Sequence, residues 1–208
     1  MYRKIIAVFS VVSCLMFHFA GAQGFKGGFS AGINLSQVFG DANIGYNKAG
    51  VNGGIFTTRK FSDRFSGLME LKFSQKGSRK NVNPDHGDYT FWVLRLNYVE
   101  MPLTLRFYWT SKIIPEAGFG FGALTGKSYD ANGVGVPQQI FADNYRDFEF
   151  FIHAGGTYML HEHWFASFRV ALSAASIRKE HIPGFNWLNF RRYGMYNKVV
   201  SVFVAYQF

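Results

Sequence analysis

The stretch KVVSVFVAYQF, residues 198–208, decides how the chain is read. Side chains of an extended strand alternate sides with period two. Val200, Val202, Val204, Tyr206 and Phe208 therefore share one face, and Ser201, Phe203, Ala205 and Gln207 the other. A strand apolar along one whole face needs an apolar neighbour, either the core of a soluble sandwich or barrel or the hydrocarbon of a membrane. The remainder of the chain separates these two readings.

With 208 residues the chain is one domain, long enough to close a sheet on itself. Aromatic residues make up 19% and charged residues 17%, and that combination excludes a helical membrane protein, which needs long unbroken apolar runs. The one such run is at the start. Arg3 and Lys4 precede an apolar stretch over 5–20, and Ala20-Gly21-Ala22 supplies a small-x-small cleavage pattern, so residues 1–22 read as a signal peptide cut before Gln23. A competing reading makes Val-Val-Ser-Cys at 11–14 a lipoprotein box acylated at Cys14. The apolar run continues past it through Leu15, Met16 and Phe17, which argues for ordinary cleavage. Such cleavage removes the single cysteine, leaves no disulfide or thiol chemistry, and lowers the formal net charge from +9 to +7. In an exported chain a basic balance points to anionic lipid head groups or surface polysaccharide, with no nucleic acid as partner.

Eight strands are predicted after Gln23, over 25–34, 51–60, 65–76, 91–108, 113–126, 147–159, 164–176 and 198–208. Alternation is clearest in the third, where Phe65, Met69, Leu71 and Phe73 oppose Ser66, Glu70, Lys72, Ser74 and Lys76. In the fourth, Val99, Met101, Leu103, Leu105 and Phe107 oppose Glu100, Thr104 and Arg106, whereas before Asn97 the apolar phase switches to Leu94, Leu96 and Tyr98. Either a bulge or the exit of that end from the apolar layer would produce the switch, and Pro102 is a misfit in a central strand unless it marks the bulge. Links at 61–64, 109–112 and 160–163 are tight, whereas those at 35–50, 78–90, 127–146 and 177–197 are long and polar. This asymmetry, with an even strand number, is that of an eight-stranded antiparallel up-and-down transmembrane β-barrel of a Gram-negative outer membrane, spanning residues 23–208. A lipocalin-like soluble barrel would carry the same alternation turned inside out. The signal peptide, the loop asymmetry and the aromatics near the strand ends select the membrane form. In that form the polar faces line a filled lumen whose charge network comprises Glu70, Lys72, Glu100, Arg106, Glu116, Glu149, His153 and Arg169.

Several segments are similar to the PorT-like outer-membrane β-barrel family of the Bacteroidetes. They are Gly54-Ile-Phe, Phe61-Ser-Asp-Arg-Phe-Ser66, Glu70-Leu-Lys-Phe-Ser-Gln-Lys-Gly77, Tyr98-Val-Glu-Met-Pro-Leu103 and Pro115-Glu-Ala-Gly118. The Ser-Gln-Lys-Gly and Tyr-x-Glu-x-Pro pieces are the more specific. The resemblance implies an outer-membrane barrel and places Pro102 on the family's own proline. It implies little about biochemistry, since most members have no assigned activity and the founding member's link to secretion need not transfer.

No enzyme, cofactor or metal is expected. A lipid A hydrolase would need a His with a Ser or acid in reach near the outer leaflet. His153 shares its face with Glu149 and Thr157 but points into the lumen, and His161 and His163 lie in a tight turn. The last loop supplies a candidate ligand contact, for phosphate and acyl or sugar surfaces of lipopolysaccharide, in Arg178, Lys179, Trp187, Arg191 and Arg192. Val202, Val204, Tyr206 and Phe208 match the terminal pattern read by the outer-membrane assembly machinery, which is an expected partner along with membrane lipid and a secretion or envelope protein. The expected function is a structural, envelope-interaction or secretion- and assembly-accessory barrel, the alternatives being a small pore or a lipid A-modifying enzyme.

Overall fold

The computed structural model describes residues 24–40, 45–131, 134–135, 145–179 and 194–208. The expected signal peptide, together with Trp187, Arg191 and Arg192 of the last loop, lies outside the described residues. The barrel strands are β1 (Phe25–Phe39), β2 (Lys48–Lys60), β3 (Phe65–Lys80), β4 (Trp92–Phe107), β5 (Ile113–Ala131), β6 (Phe148–Met159), β7 (Trp164–Ser173) and β8 (Tyr196–Gln207). Each pairs antiparallel with its sequence neighbours, and β1 pairs with β8 from Gly28↔Gln207 to Phe39↔Tyr196, which closes the cylinder. Closure pairs the first strand with the last, so the wall keeps no free lateral strand. A two-residue piece, Val134–Gly135, pairs antiparallel with Asp130 and Ala131 at the β5 end.

Local chemistry sets the two ends. At one end the turns are tight: Phe61 N–H donates to Phe65 O at 2.9 Å, Thr110 N–H to Ile113 O at 3.2 Å, and Leu160 N–H to Trp164 O at 2.9 Å. Both described chain ends lie here, and Phe208 N–H donates to Gly27 O at 3.0 Å. At the other end β1, β3 and β5 run several residues further than their alternation indicated. Most of the added residues are polar or small, so their hydrophobic period is weak.

The outer wall is apolar. Phe29, Ile33, Val51, Ile55, Met69, Leu71, Leu105, Phe119, Phe168 and Val202 are exposed, whereas Ser30, Asn34, Glu70, Glu100, Glu116, Arg169 and Ser201 are buried. A soluble barrel has the opposite arrangement.

The structure corrects the reading of β4. Its inward face does not switch: Leu94, Leu96, Tyr98, Glu100, Thr104 and Arg106 are all buried on the same side. What changes is the lumen, which turns apolar toward the loop end. The irregularity belongs to β5, where the register passes from Asn97↔Gly126 to Tyr98↔Leu124 and leaves Thr125 as the extra residue of a bulge. Pro102 is no bulge. It lies inside β4, where the β3–β4 ladder is interrupted opposite Glu70 and Leu71 and resumes in the same register. A residue without an N–H has this effect on a ladder.

Candidate functional site

The lumen holds the chemistry. Its middle carries four carboxylates (Glu70, Glu100, Glu116 and Glu149) and four cations (Lys72, Lys76, Arg106 and Arg169), all buried. Period two aims each of them inward, and the closure of the sheet brings them together. Arg169 on β7 donates from Nε (3.0 Å) and Nη2 (2.8 Å) to Glu116 Oε1 on β5, and from Nη1 to Glu70 on β3. Glu116 also accepts from Arg106 Nε at 3.0 Å and from the Thr157 hydroxyl at 3.1 Å. Lys76 bridges Glu100 and Glu149, the second at 3.0 Å, and Lys72 lies 3.9 Å from Glu100. Glu149 accepts further hydrogen bonds from Ser173 and from Asn197 Nδ2 at 3.1 Å. Equal numbers of opposite charges, several of them doubly bonded, meet the condition under which buried ions are tolerated.

Lys76 was not foreseen as a member of the network, although alternation put it on the inward face. Its role comes from Glu149, 73 residues away in sequence.

Two apolar clusters accompany the charges. Val38, Leu94, Leu96, Tyr98, Tyr145 and Ile177 pack together toward the loop end, with Trp92, Leu124, Tyr129 and Met195 against them. Phe56, Leu68, Phe165, Phe203 and Ala205 form the second, on the turn side. The Arg106 and Arg169 guanidiniums lie 4.8 Å and 5.0 Å from the Phe165 and Phe203 ring centroids, so the cations stack on this cluster as well as pairing with acids. Glycines of β5 make the room: a Cβ on Gly120 would stand 2.4 Å from the Phe151 ring, and one on Gly118 2.9 Å from the His153 ring.

His153 Nε2 pairs with Thr104 Oγ1 at 2.9 Å, and its Nδ1 is buried without a hydrogen-bond partner among the described residues. A nucleophile–histidine pair needs an orienting acceptor on the second nitrogen and access for substrate; this pair has neither. His163 Nδ1 is bonded to Gln207 O at 2.7 Å. Among the described residues no group of three or more His, Cys, Asp or Glu could hold a metal ion. A groove of about 530 Å³ between Phe25, Arg59, Phe61 and Met69 lies on the outer wall rather than in the lumen.

Of the loop residues singled out in the sequence, Arg178 is partly buried, its carbonyl accepting from Arg146 Nε at 3.2 Å, and Lys179 is exposed. In the closing strand Val202 and Val204 face outward, while Tyr206 packs against Phe29, Trp164 and Phe208. The β3–β4 loop is ordered by a latch in which Lys80 Nζ lies 2.7 Å from Asp88 Oδ2, while the Thr90 hydroxyl and N–H donate to Asp88 Oδ1. Hydrogen bonds from Lys80 and then Thr90 hold the Asp88 carboxyl well below the usual carboxylate range.

The chain is similar to two solved outer-membrane barrels. It is 12% identical to Ail, the attachment invasion locus protein of Yersinia pestis, with a TM-score of 0.50, covering 89% of this chain and 99% of that one. It is 11% identical to Neisserial surface protein A, with a TM-score of 0.50, covering 89% and 97%. At such identities the likeness is one of fold. No match was found among curated proteins. The family model for the outer membrane protein beta-barrel domain matches residues 6–208. The chain therefore belongs to the outer membrane protein beta-barrel domain family and is an integral eight-stranded barrel of the outer membrane.

Proposed function

We propose that this protein is a non-conducting, non-enzymatic barrel that works through its loop end, as an envelope anchor or as a docking platform for a secretion or assembly partner. The observation that carries the reading is the filled lumen, in which four acids and four bases cross-link β3, β4, β5, β6 and β7. A pore of eight strands would need that network removed. Purified protein in planar bilayers is expected to show no unitary conductance. Reproducible steps would turn the reading to a small pore, and altered lipid A masses in cells that carry the protein would turn it to an enzyme.

The PorT-like resemblance supports a place near that branch of the family. Its two more specific segments have a structural use here: Lys76 of Ser-Gln-Lys-Gly pairs with Glu100 of Tyr-x-Glu-x-Pro, and the Lys76 ammonium lies 5.1 Å from the Tyr98 ring centroid. Segments that clasp a lumen speak for shared architecture. A secretion partner is a proposal that rests on the loop end, with Arg178, Lys179, Trp187, Arg191 and Arg192 as the candidate contacts. Val202, Val204, Tyr206 and Phe208 are the proposed assembly signal, and residues 1–22 the proposed signal peptide.

A further inference from the structure

At the loop-side end of the seam between β2 and β3, side chains take the place of the backbone ladder. The β2–β3 ladder stops at Asn52↔Ser74, although β2 begins at Lys48 and β3 continues to Lys80. Side chains bridge the gap instead. Asn34 Nδ2 donates to the Gln75 carbonyl at 3.2 Å, Lys48 Nζ to Gln75 Oε1 at 3.4 Å, and Gln75 Nε2 to Asn97 Oδ1 at 3.2 Å. Arg95 stands one pleat beyond Asn97 on the same outward face, opposite Gly77, and Arg79 stands opposite Val93. Lys48 is only 5% exposed and has the inward parity of Asn52 and Phe56, so its ammonium reaches Gln75 from behind this face.

None of these three cations makes an ion pair with a described carboxylate, whereas their neighbour Lys80 is matched by Asp88 at 2.7 Å. Asp130, opposite Val93 on this face, pairs with none of them, and counting it still leaves the patch with two excess positive charges. Holding three cations together, one of them buried, is unfavourable without an anion.

Height on the barrel identifies the anion. Ten residues separate Phe107, in the aromatic ring of the turn end, from Asn97; at a strand rise of about 3.3 Å and a tilt of about 40° this spans roughly 25 Å, the height of the apolar band. Arg95 and Arg79 thus stand at the head groups of the outer leaflet, above the apolar outward side chains Phe73, Val99 and Leu71.

We infer that Arg79 and Arg95, with Gln75 and Asn97 and the buried Lys48 charge behind them, form a site for the sugar phosphate of a phosphorylated glycolipid in the outer leaflet, its acyl chains lying along the wall below. A phosphate presents several acceptor oxygens to two planar forks, the geometry guanidinium favours. The inference goes beyond the closed-lumen reading and is independent of it, because a conductance trace reports nothing about this face.

The test is lipid titration of the full chain in detergent by native mass spectrometry, with bis-phosphorylated lipid A, its dephosphorylated form and inorganic phosphate as separate probes. The wild type is expected to bind bis-phosphorylated lipid A at least about tenfold more tightly than the Arg79→Ala/Arg95→Ala variant, since charge-assisted hydrogen bonds are lost. Dephosphorylated lipid A should bind both equally weakly, and Lys80→Ala should bind like the wild type. The single change Arg95→Gln, which keeps a donor amide, supplies a second variant, and heat-modifiable migration verifies that each one is folded. Equal affinity of folded wild type and variants for the phosphorylated lipid overturns the inference. So does a wild type that holds inorganic phosphate without preferring the lipid.

Discussion

Replacing Arg169 by Met removes the guanidinium that ties β7 to β3 and β5. Three hydrogen bonds disappear, two to Glu116 and one to Glu70. Glu116 keeps Arg106 at 3.0 Å and the Thr157 hydroxyl, so it stays partnered. Glu70 loses its only ion pair among the described residues, and the lumen goes from four acids against four bases to four against three. Breaking a buried pair on one side costs about 3–5 kcal/mol, because a buried charge is left uncompensated. With a urea m-value of about 2 kcal/mol/M, the unfolding midpoint of the refolded barrel should fall by roughly 1.5–2.5 M. Intrinsic fluorescence can follow the transition, since Trp109 and Trp164 sit on the rim. The decisive arm is the double variant Arg169→Met/Glu70→Gln. Neutralising the orphaned carboxylate should recover at least about 1 kcal/mol, a coupling typical of residues in one network. A loss below about 1 kcal/mol for Arg169→Met, or strict additivity in the cycle, would refute the idea that charge balance holds this lumen together.

Leu96 is fully buried in the loop-side apolar cluster, so Leu96→Ala should destabilise by about 2–5 kcal/mol, while Leu105→Ala on the lipid-facing wall should cost clearly less; equilibrium unfolding compares them. A Cβ on Gly118 would stand 2.0 Å from the Leu103 carbonyl oxygen, so Gly118→Ala must push β4 from β5 and lower stability by about 1–3 kcal/mol or prevent folding, read by heat-modifiable migration. The Asp88 latch has a depressed folded-state pKa, so its contribution is complete above the unfolded carboxylate value of about 3.9 and vanishes as pH falls through the lower folded value. Hydrogen exchange at the Thr90 amide should accordingly be slow at pH 5 to 7 and fast in Asp88→Asn at every pH. Deleting Phe208 removes the 3.0 Å bond to Gly27 O and the terminal aromatic, and should lower outer-membrane levels in cells; unchanged levels would count against the proposed assembly signal.

Much of this architecture is written locally. Alternation over 65–76, 99–107 and 198–208 assigns wall and lumen faces, and the tight links against long ones delimit the strands and mark the two ends of the barrel. Those features are legible because a strand's two faces meet different solvents, and period two records that difference residue by residue. The second strand, rich in glycine, carried no such record; only its ladders with β1 and β3 show that Phe56 turns inward while Ile55 meets lipid. Periodicity states which residues share a face and not what lies opposite. Leu94, Leu96 and Tyr98 looked like a change of phase because the surroundings of one face change along its length, from ion pairs to an apolar cluster. The lumen partners were out of reach for the same reason. Glu70 and Arg169 are 99 residues apart, and what joins them is the stagger accumulated around a closed sheet, a property of the whole cylinder that no single strand carries.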